Sequence, residues 1–260
     1  MNALTQIFVL AGKGVVLLFG PSAHSHRFDA RRRLARHWLW TMMLGGVAIV
    51  ALMALVDAPE IRLMPPRGTA SLWPLRVMTD FGKAIYVLMA LGLGTMFVFL
   101  SSAAVTGMAR SRMLWLSQRF AFLFLAVLVP VQVGELLKGI VGRGRPFVGG
   151  AADAFHYSHF AWTEAYASFP SGHAITAFAL AFALASLAPK WRIAIWAYAA
   201  IIAVTRLVLL AHHPSDVLAG ALVGILGAMA VRYWFAARHL IFTIAPDGAI
   251  RVTRDGPAGG

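Results

Sequence analysis

Apolar residues along the chain fall into six long blocks with almost no charge, at about 38–56, 84–105, 120–137, 173–188, 193–211 and 217–235. Wound as helices, blocks of this length approach or match the ~30 Å of a bilayer's hydrocarbon core, so the pattern predicts six spans. An earlier apolar stretch, 1–20, is broken by Gly12, Lys13 and Gly14 and is expected to be an interfacial helix or a flexible arm; no small-residue cleavage site follows it. Between the first two blocks, 57–83 mixes acids with bases and carries Pro59, Pro65, Pro66 and Pro74, which predicts a connecting loop. The segment 138–169 is rich in glycine and in rings (Phe155, Tyr157, Phe160, Trp162, Tyr166) that suit the headgroup layer, and 246–260 is expected to be a polar, frayed tail.

Composition turns the pattern into a class. With 60% hydrophobic and 13% charged residues in a 260-residue chain and a mean hydropathy of +0.74, this is an all-α integral membrane protein, a six-helix bundle in one domain spanning 1–260. Within it, 1–37 is read as a basic amino-terminal arm, 38–235 as the six-span core and 236–260 as a cytoplasmic tail. The net charge of +13 does not indicate nucleic acid, because the basic residues sit between apolar runs rather than on a solvated face; anionic lipid headgroups are the expected partners. With no cysteine, disulfides, thiolate metal sites and a cysteine nucleophile are excluded.

Charge also orients the spans. Arg27, Arg31, Arg32, Arg33 and Arg36, then Arg110, Arg112 and Arg119, then Lys190 and Arg192, and finally the tail all fall on one side if there are six spans, which makes that side cytoplasmic. Lys138, Arg143, Arg145 and Arg206 are left on the opposite side. Ionisable groups at span ends are costly unless paired or hydrated, so their gathering there points to a site.

Other reactive groups fall on that same face. Phe169-Pro170-Ser171-Gly172-His173 reads as a helix start in which Ser171 caps free amides, Gly172 admits close approach and His173 lies in the first turn, a natural anion site. His212 and Asp216 lead into the last block, four positions apart, so that the carboxylate is expected to hold one imidazole nitrogen protonated and leave the other free. Lys138, Arg145 and Arg206, with Ser171 and the Gly172 and His173 amides, suit the non-bridging oxygens of a phosphate ester. His212 is the expected nucleophile, and His173 the acid for the leaving alkoxide and the base for water.

The three segments Lys138-x6-Arg145-Pro146, Pro170-Ser171-Gly172-His173 and Arg206-x5-His212-x3-Asp216 resemble, in order and spacing, the signature of the type 2 phosphatidic acid phosphatase superfamily. The resemblance covers about 135–220, with Thr205 standing where the family usually has serine. It implies a metal-independent phosphatase with no cofactor, a six-helix membrane core and the roles just given, with Asp216 orienting His212. It gives His213 no role. Arg143, just outside the pattern, is read as a headgroup or solvent contact, Glu135 as closing the helix in preference to tuning Lys138, and His24, His26, His37, His156, His159 and His239 as interfacial histidines.

The expected function is hydrolysis of a lipid phosphate at the periplasmic face of a bacterial-type inner membrane. The resemblance admits phosphatidate, phosphatidylglycerol phosphate, undecaprenyl diphosphate or lipid A 1-phosphate. Two other readings compete: a carrier or receptor that binds lipid headgroups without hydrolysis, and a metal site formed by His173, His212 and Asp216. The sequence does not bear on oligomeric state.

Overall fold

A computed structural model of the chain describes residues 3–22 and 25–253; Met1, His24 and the last part of the expected frayed tail, 254–260, lie outside the described residues. The described chain is mostly helical, with α1 (Ala3–Phe19), α2 (Arg27–Leu55), α3 (Asp57–Leu63), α4 (Trp73–Asp80), α5 (Ala84–Ser101), α6 (Gly107–Val141), α7 (Gly172–Leu187), α8 (Arg192–Val208) and α9 (Pro214–Ala237), followed by a hairpin of β1 (Phe242–Ile244) and β2 (Ile250–Val252).

Each of the six apolar blocks is helical, as α2, α5, α6, α7, α8 and α9. Five of these regions are long and apolar enough to cross a membrane, while α7, at 16 residues, is a shorter apolar helix. The most apolar stretches of α2 and α5 are only 6% and 11% buried, against 56% in α9. Leu39, Trp40, Leu44 and Val47 of α2 and Met89, Leu93 and Phe97 of α5 therefore present an apolar surface suited to lipid rather than water. The chain is a multi-pass membrane protein.

Two helices start earlier than their apolar blocks. Helix α2 opens at Arg27, so the arginine cluster forms its first turns, with Asp29 placed favourably at the positive end of the dipole. Helix α6 likewise includes Arg110, Arg112 and Arg119. Arginine, leucine and alanine are all good helix formers, and charge alone gives no reason for the helix to stop. The segment 57–83, expected to be a loop, instead contains α3 and α4; Pro74 sits in the first turn of α4, where its missing N–H costs nothing.

Two compact units form, one from 1–37, 88–125 and 229–260, the other from 38–87 and 126–228. In the first, Phe122 of α6 meets Phe235 and Phe242 edge-on, with centroids 5.3 and 4.9 Å apart. Helix α1 is held there by the Trp234 indole, which donates to the Leu18 carbonyl at 2.9 Å. The expected frayed tail is ordered through β2: alternating apolar residues flank an Asp247-Gly248 turn with Gly248 at φ +78, and Asp247 lies 3.6 Å from Arg33.

The second unit holds the candidate site, and small residues allow its helices to come close. Ala177 and Ala181 of α7 pack on Ala199 and Ile202 of α8. Gly220 and Gly224 of α9 form a one-turn pair against α7: a Cβ on either would stand 2.5 Å from the carbonyl oxygen of Ser171 or Ile175. This close approach brings the start of α7 to the start of α9, where the Ser171 amide donates to the Asp216 backbone oxygen at 3.0 Å.

Gly142 ends α6 in the left-handed region at φ +57, and a side chain there would strike the backbone of Ser158. The chain after it is tied to itself rather than loose. The Gly144 amide donates to His156, that of Arg145 to Ala165 and that of Ser168 to Arg143, at 2.8–3.0 Å. His156, expected to be interfacial, bonds the Tyr166 hydroxyl at 3.1 Å and stacks on its ring.

Candidate active site

Helix ends supply the site. Lys138 lies in the last turn of α6, and its Nζ would be only 2.9 Å from a Cβ on Gly172, so the ammonium sits over the start of α7 and a larger residue at 172 would displace it. Its Nζ donates to Glu135 Oε1 at 2.6 Å, but that carboxylate is 58% exposed and well screened. Ser171 occupies the N-cap position of α7 without making a side-chain cap bond. Its hydroxyl is buried with no partner among the described residues, as is His173 Nε2. The expected capping by Ser171 is thus not formed, and the hydroxyl remains a free donor.

Arg206, at the end of α8, is buried and donates from Nη1 to Thr79 Oγ1 at 2.7 Å, so α4 fixes one of the site's cations. Gly82, just beyond α4, backs onto the His173 ring: a Cβ there would reach Cδ2 at 3.3 Å. Lys138, Arg145, Gly172, His173, Arg206 and His212 all line one cavity of about 620 Å³. Ser171 and Asp216 are not among the lining residues: both are fully buried, Ser171 at the N-cap of α7 and Asp216 in the first turn of α9. The helix ends named from sequence therefore do converge.

The His212–Asp216 relation differs from expectation. The two lie 3.9 Å apart, beyond hydrogen-bond reach. Their i, i+4 spacing would stack them only inside a helix, but α9 begins at Pro214, after His212. His213 is the N-cap residue, and Asp216, three positions on, accepts its amide at 2.9 Å and its Nδ1–H at 3.1 Å.

His212 Nδ1 instead meets the Ser168 carbonyl at 2.8 Å. A carbonyl only accepts, so Nδ1 carries the proton and Nε2 keeps its lone pair. Burial, working against the attraction of Asp216 and reinforced by Arg206 and Arg145, holds this imidazole well below its usual pKa, so it stays neutral. Ser168 joins the two groups: its carbonyl holds His212, and its hydroxyl donates to Asp216 Oδ2 at 2.6 Å.

Arg143 is the largest departure from expectation. Read as a headgroup or solvent contact, it is 1% exposed and lies between two fully buried carboxylates, Asp57 Oδ2 at 2.7 Å and Asp216 Oδ1 at 2.6 Å. Its guanidinium also meets Ser215 Oγ at 2.6 Å and the Ala154 carbonyl at 2.7 and 3.0 Å. Asp57 in turn accepts the Ser215 amide and hydroxyl, at 3.0 and 2.5 Å. The forked guanidinium can bridge two carboxylates that a lysine could not.

Asp57, Arg143, Ser168, His213 and Ser215 are thus support residues that the sequence reading missed. Beside them Glu60 is half-buried, with both carboxylate oxygens unpartnered among the described residues. Burial pushes it up to about 7, with His213 opposing the rise and Asp57 adding to it. Among the described residues, no three His, Asp or Glu side chains gather as a metal-ion site.

Known proteins bear on this geometry. The chain matches the PAP2 superfamily over residues 119–240. It is 32% identical over 206 residues to a lipid A 1-phosphatase of Rhizobium johnstonii, covering 77% of this chain and 82% of that one. It is also 32% identical over 221 residues to a lipid A 1-phosphatase of Rhizobium etli, covering 81% and 90%. No solved structure matches the chain.

Proposed function

We infer the activity from one premise: the chain belongs to the PAP2 superfamily, as its family match and its relatives of nearly equal span establish. It is a lipid phosphatase of the PAP2 type. Our reading takes lipid A 1-phosphate as the substrate, ahead of phosphatidate, phosphatidylglycerol phosphate and undecaprenyl diphosphate, because both relatives carry that activity in their names. The observation that carries the catalytic reading is the one cavity that Lys138, Arg145 and Arg206 line together with the imidazoles of His173 and His212, the latter held by the Ser168 carbonyl in the tautomer that attacks.

In the first step His212 Nε2 attacks phosphorus and the bond to the leaving alkoxide breaks, with His173 donating the proton the alkoxide needs. Lys138, Arg145 and Arg206 offset the charge on the three non-bridging oxygens, while the Ser171 hydroxyl and the Gly172 and His173 amides add donors at the positive end of α7. In the second step water attacks the phosphohistidine, His173 takes its proton, and inorganic phosphate leaves with His212 neutral again. Asp216 acts on His212 through Ser168 and stabilises the positive charge that the ring gains on attack. The chemistry requires no metal or other cofactor.

For topology, the proposal has six spans in one domain of the inner membrane, with α7 as the short one. The arginine clusters lie in the cytoplasm and the cavity faces the periplasm, following the bias of basic residues. A headgroup carrier would use the same cations but would have no need of a buried, tautomer-fixed imidazole beside a second one. Phosphate release from a panel of the four lipids separates these readings. Wild type is expected to release phosphate from lipid A in excess chelator, and His212→Ala is expected to lose about three orders of magnitude. Undiminished release by His212→Ala would overturn the catalytic reading, and no release from any lipid by wild type would favour the carrier.

A further inference from the structure

We propose that the cleft formed by Trp162 and the two glutamates Glu135 and Glu164, beside the phosphate-binding cations, is a subsite for the sugar ring that bears the scissile phosphate, read through its hydroxyl and amide donors and its C–H face. The inference deepens the proposed function and rests on it for lipid A 1-phosphate being the lipid turned over.

Glu135, Lys138, Trp162, Thr163, Glu164 and Tyr166 line a cavity of about 170 Å³. Lys138 and Glu164 also line the larger cavity that holds His173 and His212, so the two spaces adjoin, as a phosphate and the group it is bonded to require. Pockets for whole small ligands run to about 300–1,000 Å³, so the smaller space suits one ring rather than a lipid. Its charge differs from that of the larger cavity. One ammonium stands against two carboxylates, and Lys138 donates to Glu135 at 2.6 Å, which leaves Glu164, 86% exposed, with a 3.5 Å contact to Arg145. Carboxylates accept hydrogen bonds and repel a second anion, while the Lys138 ammonium repels a cation. The occupant that satisfies both is neutral and rich in donors, as the hydroxyl and amide groups of a sugar are.

Trp162 supplies an apolar wall. It is 64% exposed, and its backbone stands in the left-handed region at φ +52, as does that of Phe160 at φ +59, a conformation that bulky residues avoid. The Phe160 amide donates to the Gly139 carbonyl at 2.8 Å, and the indole lies so close on Gly139 that a Cβ there would stand 2.2–2.4 Å from three of its ring carbons. The turn thus holds the indole against the residue that follows Lys138 and leaves the rest of its surface open. An indole is broad, apolar and electron-rich on its face, which suits the polarised C–H groups of a pyranose. Glu164 is held as well. It begins a short turn, Glu164–Tyr166, in which the Ala165 carbonyl accepts the Arg145 amide at 2.9 Å and the Tyr166 hydroxyl bonds His156 Nε2 at 3.1 Å. The acylated glycerol of phosphatidate offers this wall neither a ring nor a hydroxyl.

The test is calorimetric titration of the purified full-length His212→Ala protein in detergent, so that binding is read without turnover, with N-acetylglucosamine 1-phosphate, glycerol 3-phosphate and phosphoethanolamine as separate probes. The sugar phosphate is expected to bind at least ~10-fold more tightly than glycerol 3-phosphate, and H212A/W162A and H212A/E164Q to lose about 5-fold or more for the sugar phosphate while changing less than about 2-fold for glycerol 3-phosphate. The glycerol 3-phosphate arm also reports whether each variant is folded, and the exposed Glu164 gives a variant with little packing to lose. Equal affinity for these two phosphates, or equal loss of both or of neither in the variants, would overturn the subsite. Phosphoethanolamine as the tightest probe would assign the carboxylates to an amine and overturn it too. In phosphate release from lipid A, Trp162→Ala and Glu164→Gln alone are expected to raise KM about 5-fold or more at near-constant kcat, and a fall in kcat alone would overturn the assignment to binding. The binding arms hold or fail without turnover, whereas failure of the phosphatase reading would show as no phosphate release from any lipid by wild type, and failure of its substrate assignment as release from another lipid only.

Discussion

Replacing Arg143 by methionine keeps much of the side chain's length and removes its charge from between two carboxylates. The guanidinium is 1% exposed and Asp57 and Asp216 are both fully buried, so solvent cannot take its place. Removing one member of a buried charge set costs about 3–5 kcal/mol, because the partner is left charged and dry. The remaining bonds, Ser215 to Asp57 and Ser168 and His213 to Asp216, keep the loss near that range rather than beyond it. At about 2–4 °C per kcal/mol for a chain of this size, the melting temperature in detergent should fall by roughly 10 °C. Arg143→Lys, able to meet only one carboxylate, should fall in between. Asp57→Asn removes part of the same interaction, so R143M/D57N should lose less than the sum of the two, by about 0.5–3 kcal/mol. An R143M protein that melts within about 2 °C of wild type, or strictly additive losses, would refute the buried bridge. An exposed headgroup contact would instead cost only about 0.5 kcal/mol.

Three further outcomes follow from the same geometry. Gly220→Ala puts a methyl group 2.5 Å from the Ser171 carbonyl oxygen, so stability should fall by about 1–3 kcal/mol and kcat with it, in a melting curve and a rate assay; unchanged values would show that α7 and α9 do not approach so closely. Ser168→Ala removes a hydroxyl bonded to Asp216 while its carbonyl still holds His212; kcat should drop about 10-fold at constant KM, and a rise in KM alone would place Ser168 in binding instead. Glu60 has its folded pKa raised to about 7. Its contribution is therefore fully present below the unfolded value near ~4.3 and is lost as pH rises through about 7. Melting temperature in detergent should decline across that window, Glu60→Gln should flatten the decline, and equal slopes for both proteins would refute the shift.

What the sequence carried best was local. The three signature segments are short, and residues from each of them line one cavity. Arg143 was illegible because its partner Asp57 lies 86 positions away and nothing near it differs from an exposed basic turn. The His212–Asp216 pairing failed on register: Pro214, favoured at the first helical position, marks a start that excludes His212 from the helix. The helices in 57–83 were hidden by prolines that stand near helix starts, where they are tolerated. The carboxy-terminal hairpin did leave a signal, Asp247-Gly248 between alternating apolar residues.

The central claim is that His212 takes the phosphoryl group within one cavity that also holds His173 and the three cations. Lipid A labelled with radioactive phosphorus in its 1-phosphate, mixed with enzyme and quenched during turnover, tests it directly. The account predicts an acid-labile, alkali-stable label mapped to His212 and absent from His212→Ala. Label on His213 or another residue, or phosphate release with no label trapped at any time, would contradict it.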